Sequence, residues 1–203
     1  MSYTIRLVEA SDACGIYEAE RACFHDPYPP EAFTDLIKAH QGHFFVASDH
    51  GDIVGYAVAS ANATQGHVVS IAVDPRHRRR RIGTALLSAL TAKLTEEGIR
   101  QMRLEVRKGN AGAIAFYERM GYRAFSEIRQ YYADGEDALV LAQCFECNRS
   151  IEAREDHGSK PHHVEELDQT NRGVQSQRTS RGGRQEIPQT RSGTCPRRQN
   201  RVR

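Results

Sequence analysis

The chain of 203 residues contains no tryptophan, and its last aromatic residue is Phe145. The 58 residues that follow, 146–203, therefore lack the large apolar side chains on which a folded core depends. A segment of that composition cannot bury enough surface to offset the entropy lost on ordering it. We expect a folded domain over residues 1–145 and a disordered, arginine-rich tail over residues 146–203.

Long apolar runs and a secretory signal are also missing. No stretch of about eighteen consecutive apolar residues occurs, so the sequence predicts no membrane-spanning helix. The first ten residues, MSYTIRLVEA, do not show the basic and apolar blocks of a secretory signal. The sequence therefore predicts a cytoplasmic protein that makes no contact with a membrane.

Charge divides the chain at the same place as the aromatic residues. Residues 1–145 carry 16 basic and 18 acidic side chains, whereas residues 146–203 carry 12 and 8. Beyond Asn171, nine arginines stand against a single acid, Glu186. Such a tail is either a solvated arm or a nonspecific contact for polyanions. In the second case the protein is a nucleic-acid-binding or ribosome-binding module, and its contact weakens as salt is added.

Periodic apolar patterns place strands and helices along the first 145 residues. Helical spacing predicts four helices: one capped by Ser11 or Asp12, one opened by Pro30, one that begins near residue 82 and one capped by Asn110. Alternating or continuous apolar runs predict strands at residues 4–8, 44–47, 53–58, 67–73, 102–106, 122–128 and 138–144. The resulting order, β α α β β β α β α β β, is typical of a mixed α/β domain with one central sheet.

Five arginines and a histidine, RHRRRR at residues 76–81, lie between a predicted strand and a predicted helix. After them Ile82, Leu86 and Leu90 recur at helical spacing, and Gly98 is expected to end that helix. The start of a helix presents unpaired N–H groups and a positive dipole end, so this junction predicts an anion site. A basic surface patch is the alternative, which the position between a strand and a helix disfavours.

Several motifs carry a resemblance to a known family. They are IAVDP at residues 71–75 with the arginine loop after it, LEVR at 104–107, and AFYE at 115–118 followed by Gly121. In this order they resemble the GNAT superfamily of acetyl-CoA-dependent N-acetyltransferases, and within it the RimI-like enzymes that acetylate protein N-termini. The resemblance extends over residues 4–142. It implies the α/β fold of that superfamily, a mixed central sheet flanked by helices, with acetyl-CoA as co-substrate.

The resemblance assigns the anion site to coenzyme A, whose pyrophosphate would lie at the start of the helix. In one respect the loop departs from the family pattern Arg/Gln-x-x-Gly-x-Gly/Ala, because Arg81 replaces the first glycine. We expect Arg81 to point outward or to contact phosphate itself. The residues expected to bind the coenzyme are Ile71, Ala72, Val73, Arg78, Arg79, Arg80, Arg81, Ile82, Gly83, Thr84, Asn110 and Tyr117.

Two residues twelve positions apart are expected to carry the chemistry. Glu105, near the end of a strand, would accept the amine proton directly or through water, and Tyr117 would protonate the departing sulfur. Taken alone, a residue such as Glu105 is more often a strand-end surface carboxylate, and one such as Tyr117 is more often a core residue. Tyr28, Tyr131 and Tyr132 occupy positions where the RimI-like enzymes line their peptide groove, and we expect them to bind the acceptor.

The kind of acceptor amine can be argued from pKa values. An α-amino group titrates near 7.7–8.0 and a lysine near 10.4, so a single carboxylate base fits the α-amine of a protein, such as a ribosomal protein, better. A lysine or a small-molecule amine is the alternative acceptor. No metal is predicted. Cys144, Cys147, His157 and His162 have end pairs with zinc-ligand spacing, but the gap between the pairs is shorter than is usual for zinc.

Overall fold

A computed structural model of the chain describes residues 3–24 and 27–145. The predicted tail and the candidate zinc ligands other than Cys144 lie outside these residues. The described part contains seven strands: β1 Tyr3–Leu7, β2 Phe44–Asp49, β3 Asp52–Asn62, β4 Gln65–Val73, β5 Gln101–Arg107, β6 Arg123–Ile128 and β7 Ala138–Cys144. It also contains four α-helices: α1 Ala13–Cys23, α2 Pro30–Ala39, α3 Ile82–Glu96 and α4 Ala111–Arg119.

The strands form one mixed sheet in the order β1-β2-β3-β4-β5-β7-β6. All neighbouring strands are antiparallel except β4 and β5, which are parallel. The predicted order of helices and strands is therefore confirmed. The hairpin between β2 and β3 turns through His50 and Gly51, both with positive φ, as a tight hairpin turn requires.

Helices cover both faces of the sheet. Ile16 of α1 and Phe33 of α2 pack with Phe44 and Tyr56 on one face. On the other face α3 places Leu86, Leu87, Leu90 and Leu94 against the sheet, each fully buried. Burying one such leucine contributes about 1.5–3 kcal/mol, so this row of leucines holds α3 against β3 and β4.

The ends of the helices follow the predicted caps with one exception. Gly98 ends α3 with φ +86°, and the N–H of Ile99 returns to the carbonyl of Leu94, as in a Schellman motif. Asp12 precedes α1, but its carboxylate does not cap that helix. It accepts two hydrogen bonds from Arg6, at 2.7 and 2.8 Å, and one from the N–H of Glu9. The predicted side-chain cap at α1 is therefore wrong.

Strands β4 and β5 pair only at their first residues. Three residue pairs join them, ending with His67 and Arg103, and the strands then separate. A register shift between β3 and β4 leaves Val69 as an extra residue, and such a bulge bends a strand and increases its twist. The result is a gap between the C-terminal halves of β4 and β5, in the middle of the sheet.

Candidate active site

The open edge of β4 faces the gap with unpaired backbone groups. The N–H of Asp74 bonds to the carbonyl of Val54 at 2.9 Å, which fixes the alternation along β4. Because N–H and C=O directions alternate along an antiparallel pair, Ala72 bonds to β3, while Ile71 and Val73 direct theirs toward the gap. The carbonyl of Val73 accepts from the Cys23 thiol at 3.2 Å. Ile71 therefore offers a donor and an acceptor to a ligand, and Val73 offers its N–H.

The start of α3 lies just after this edge. Arg81 is its N-cap residue and has left-handed φ and ψ of 63° and 14°, with no hydrogen bond from its side chain to the helix. The first N–H groups of a helix have no partner within it, so those of Ile82, Gly83 and Thr84 are available to an anion. A Cβ on Gly83 would lie 3.6 Å from Phe116, an ordinary contact. The N–H groups at this helix start therefore lie where the coenzyme's pyrophosphate is predicted to bind.

The arginine side chains of the loop do not all point outward. Arg76 binds Asp74 at 2.6 Å, Arg78 donates to the carbonyl of Val73 at 3.2 Å, and Arg80 binds Asp49 at 2.7 Å. Arg79 and Arg81 are exposed and make no ion pair with other described residues. Of the arginines predicted to bind the coenzyme, Arg79 and Arg81 can reach a ligand without breaking a contact, whereas Arg78 and Arg80 hold the loop.

Replacing Arg81 with glycine tests the departure from the family pattern. Glycine adopts φ near +63° without the steric cost that a side chain incurs, about 1 kcal/mol or more. We therefore expect Arg81→Gly to raise the thermal midpoint of the protein without coenzyme. Calorimetric titration with acetyl-CoA then isolates the side chain: weaker binding would mean that Arg81 contacts phosphate, and tighter binding that it hinders the approach. Arg100→Gly, which removes an arginine away from the loop, is the control.

Glu105 lies in β5 at the point where the gap opens. Its carboxylate is within 2.5 Å of Nε2 of His67, the last residue of β4 to pair with β5. The Glu105 side chain is only 13% exposed. Burial alone would raise the pKa of this carboxyl, but the hydrogen bond and charge of His67 more than offset it, and the pKa is lowered. Glu105 is therefore ionised at neutral pH and can accept a proton.

Tyr117 is buried in α4, with its ring 5.2 Å from that of Phe116 and 5.8 Å from that of Tyr122. Burial raises its pKa well above the usual value of a tyrosine, so the phenol stays protonated. Its hydroxyl makes no hydrogen bond within the described part of the chain. A neutral phenol of this kind can donate a proton but is a poor base.

Asn110 caps α4, since its Oδ1 accepts from the N–H of Ala113 at 3.1 Å. The predicted capping role is confirmed, and the amide nitrogen of the side chain remains for a ligand. Contact with the coenzyme stays a prediction.

The loop between β6 and β7 carries two of the predicted acceptor residues. The rings of Tyr131 and Tyr132 meet edge-to-face at 5.1 Å. Burial, aided by the nearby Tyr131 and the charge of Glu105, raises the pKa of Tyr132 to about 12. Tyr28 lies in the segment before α2. Its ring packs edge-to-face on that of Phe33, with the ring centroids 6.1 Å apart.

Arg107, at the end of β5, holds this loop in place. Its guanidinium lies 4.0 Å above the ring of Tyr132 and binds Asp134 and Glu136, both at 2.7 Å. Glu136 also accepts from the N–H of Gly109 at 2.9 Å. One arginine therefore joins β5 to the middle and the C-terminal part of the loop that carries the tyrosines.

We expect Arg107→Ala to weaken acceptor binding. Without the arginine the ring of Tyr132 loses its cation–π contact, and two carboxylates are left next to each other. The KM for a peptide acceptor should rise about tenfold, while the dissociation constant for acetyl-CoA stays unchanged. Arg107→Lys keeps the charge but not the planar fork of the guanidinium, so its KM for the peptide should lie between those of the parent and of Arg107→Ala. Arg123→Ala on β6, which is separated from β5 by β7, is the control. An equal loss of coenzyme binding in Arg107→Ala would contradict this role.

Sequence reasoning missed His67, Arg107 and Asp49. His67 and Glu105 are 38 positions apart, and only the short parallel pairing of β4 with β5 brings them together. Of the residues predicted for the site, Tyr132 lies beside Glu105, because its ring stacks on Arg107, two positions further along β5. Among the described residues no group of three or more metal-ligating side chains occurs, and no helix there is long and apolar enough to span a membrane.

Residues 14–122 match the family model described as Acetyltransferase (GNAT) family. The chain therefore belongs to the GNAT acetyltransferases, as the motifs predicted, and it is an acetyl-CoA-dependent N-acetyltransferase. It is 37% identical over 153 residues to an N-alpha-acetyltransferase of Sulfurisphaera tokodaii, covering 69% of this chain and 92% of the relative.

It is also similar to the [Ribosomal protein bS18]-alanine N-acetyltransferase of Escherichia coli K12, at 32% identity over 145 residues, covering 68% of this chain and 95% of the relative. Among solved structures, Ard1 from Thermoplasma volcanium superposes with a TM-score of 0.68 at 29% identity, covering 71% of this chain and 98% of that one. The predicted fold, a mixed sheet flanked by helices, is confirmed by this likeness.

Proposed function

We propose that this protein transfers the acetyl group of acetyl-CoA to the α-amino group of a protein N-terminus. The observation that carries the proposal is its similarity, across nearly the whole length of each relative, to enzymes named for α-amine acetylation in an archaeon and a bacterium. The E. coli relative is named for a ribosomal protein with an N-terminal alanine, so such an N-terminus is the first acceptor to test.

The residues at the gap fit the coenzyme. The unpaired N–H groups at the start of α3 would hold its pyrophosphate, with Arg79 and Arg81 beside them. The open edge at Ile71 and Val73 would pair with the amides of its pantetheine arm and direct a backbone N–H at the acetyl carbonyl. The coenzyme supplies an activated thioester carbonyl in the gap. The fixed N–H groups need no rearrangement as negative charge develops there.

Two side chains move the protons of the reaction. The new C–N bond forms as the amine nitrogen attacks the acetyl carbon, and the C–S bond breaks. Glu105, ionised and held by His67, accepts the proton of the amine, directly or through water. Tyr117, whose phenol is kept neutral by burial, donates a proton to the departing sulfur.

The pKa values favour an α-amine over a lysine. Deprotonating a lysine costs about 3.4 kcal/mol more at a given pH, because its pKa lies about 2.5 units higher. Glu105, whose pKa is below its usual value, is a weak base and is suited to the amine that is easier to deprotonate. Tyr28, Tyr131 and Tyr132 would line the groove in which the first residues of the acceptor lie.

A direct comparison of acceptors tests the proposal. Purified protein and acetyl-CoA are incubated with each of three acceptors. The first is a peptide with a free N-terminal alanine, the second is a peptide that contains a lysine and is blocked at its N-terminus, and the third is a small amine such as spermidine. Mass spectrometry of each product locates the acetyl group. We expect acetylation of the free N-terminus. Acetylation of the lysine or of the small amine alone would overturn the proposal and favour the alternative acceptor.

A further inference from the structure

Asp49 is a buried acid outside the residues that would touch the coenzyme or the acceptor. It is the last residue of β2, next to the hairpin turn, and its side chain is 10% exposed. Its Oδ2 accepts from Nη1 of Arg80 at 2.7 Å and lies 3.9 Å from Nε2 of His77. The hydrogen bond from Arg80 lowers the pKa of Asp49, so the acid is charged at neutral pH.

The loop that Asp49 contacts has a strained backbone. Arg79 and Arg81 both have φ of +63°, a conformation that glycine adopts freely and other residues seldom do. Arg81 stands where the family pattern has its first glycine. Arg80 lies between the two strained residues, so a contact that fixes Arg80 also fixes the backbone on either side of it.

A second contact holds the other end of the same loop. The carboxylate of Asp74 accepts from both the backbone N–H and the side chain of Arg76, at 2.8 and 2.6 Å. His77 lies between the two acids, 4.0 Å from Asp74 through Nδ1. Within the described residues Nδ1 of His77 and Oδ1 of Asp49 are buried without a hydrogen bond, so the bond from Arg80 to Oδ2 is the one that the Asp49 carboxylate accepts there.

We propose that Asp49 is a positioning residue for coenzyme binding: through Arg80 it holds the strained arginine loop in the form that presents the N–H groups of α3 to the pyrophosphate. Arg80 then acts through Asp49 and not by contact with phosphate. Asp49 compensates in this chain for the missing glycine at position 81. The inference concerns the acetyl donor and does not depend on which amine is the acceptor.

Calorimetric titration of acetyl-CoA into the full-length protein tests this role. Asp49→Asn should raise the dissociation constant about tenfold, because the partly buried guanidinium of Arg80 loses its charged partner. At saturating acetyl-CoA, kcat should stay within about twofold, and the KM for the acceptor should not change. Asp52→Asn, an exposed acid in the same hairpin, is the matched control and should bind as the parent does.

Two further variants separate positioning from direct contact and from general loss of stability. Arg80→Gln and the double variant with Asp49→Asn should each bind about as weakly as Asp49→Asn alone, because both side chains belong to one contact. If Arg80→Gln loses much more affinity, Arg80 contacts phosphate and the proposal is wrong. If Asp49→Asn lowers only the active fraction, at an unchanged dissociation constant, Asp49 is merely structural and the proposal is also wrong.

A third comparison combines Asp49→Asn with Arg81→Gly. In protein that already carries Arg81→Gly, the loop no longer holds a side chain in the left-handed region at position 81. The effect of Asp49→Asn on the dissociation constant should therefore shrink to about threefold or less in that background. An undiminished effect would mean that Asp49 does not compensate for the missing glycine.

Discussion

Glu105→Gln is expected to reduce kcat by about 100-fold to 10,000-fold, the usual contribution of a positioned general base. The amide has nearly the same shape as the carboxylate and can still contact Nε2 of His67, so the fold and the gap between β4 and β5 should persist. What the variant loses is the ability to accept the proton of the attacking amine. The dissociation constant for acetyl-CoA should stay near that of the parent.

The pH dependence of the variant distinguishes a base from a structural carboxylate. The pKa of Glu105 is lowered, so in the parent the base is ionised throughout the neutral range and is lost only as the solution becomes strongly acidic. Without it, only acceptor molecules that are already neutral in solution react. The α-amine titrates near 7.7–8.0, so the residual rate should keep rising through that range after the parent has levelled off.

Single-turnover measurements over pH 6 to about 9.5 make this comparison independent of product release. Glu118→Gln, which removes an exposed carboxylate of α4, serves as the control. Replacing His67 gives a second comparison. Burial would then raise the pKa of Glu105 with less to oppose it, so the acid limb should move to higher pH while the base remains. An unchanged rate and an unchanged profile in Glu105→Gln would exclude Glu105 as the base.

The order of elements could be predicted from the sequence because each element carries its own local pattern. The row of leucines in α3, the alternation in β5 and Pro30 at the start of α2 each identify one helix or strand within a few residues of the observed bounds. Gly98 and Asn110 ended and began helices as predicted because glycine and asparagine favour those positions through their own backbone contacts.

Side-chain partners between distant segments could not be predicted in the same way. Asp12 has the right spacing for a cap, yet the bidentate contact with Arg6 competes for the same carboxylate. In the arginine loop the sequence indicated positive charge but no direction, and the structure shows that Arg80 points to Asp49, 31 positions earlier. Such pairs depend on strand register, which no local pattern encodes.

The residues of the candidate site differ in the same way: some follow from a local motif, and others only from contacts between distant segments. Glu105 and Tyr117 lie in motifs that carry their own context, a strand end and the helix after it. His67 has no such motif, because its importance arises from the bulge at Val69 and the three-residue pairing that ends beside Arg103. Arg107 belongs to the LEVR motif, but its contact with Tyr132 depends on the path of the loop between β6 and β7.

Tyr117→Phe is expected to lower the rate of the chemical step by about 100-fold while leaving acetyl-CoA binding intact. The ring, which packs against Phe116 and Tyr122, is retained. The hydroxyl makes no hydrogen bond within the described part of the chain, so its removal leaves no unpaired group and should not change the thermal midpoint. Loss of rate without loss of binding or stability is what a proton donor to the departing sulfur predicts.

Tyr122→Phe is the matched control, since it makes the same substitution 5.8 Å away in the same cluster of rings. Tyr122 is fully buried, and its hydroxyl lies 3.9 Å from the sulfur of Met102, away from any proton transfer. The activity of Tyr122→Phe should stay within about twofold of the parent.

Release of the free thiol, followed in single turnover with a chromogenic thiol reagent, measures the step that Tyr117 serves. Because burial places the pKa of Tyr117 above the usual value, the parent should show no basic limb below pH 10. A Tyr117→Phe variant with the parent's rate, or one that no longer binds acetyl-CoA, would mean that Tyr117 serves packing or binding and that the sulfur takes its proton elsewhere.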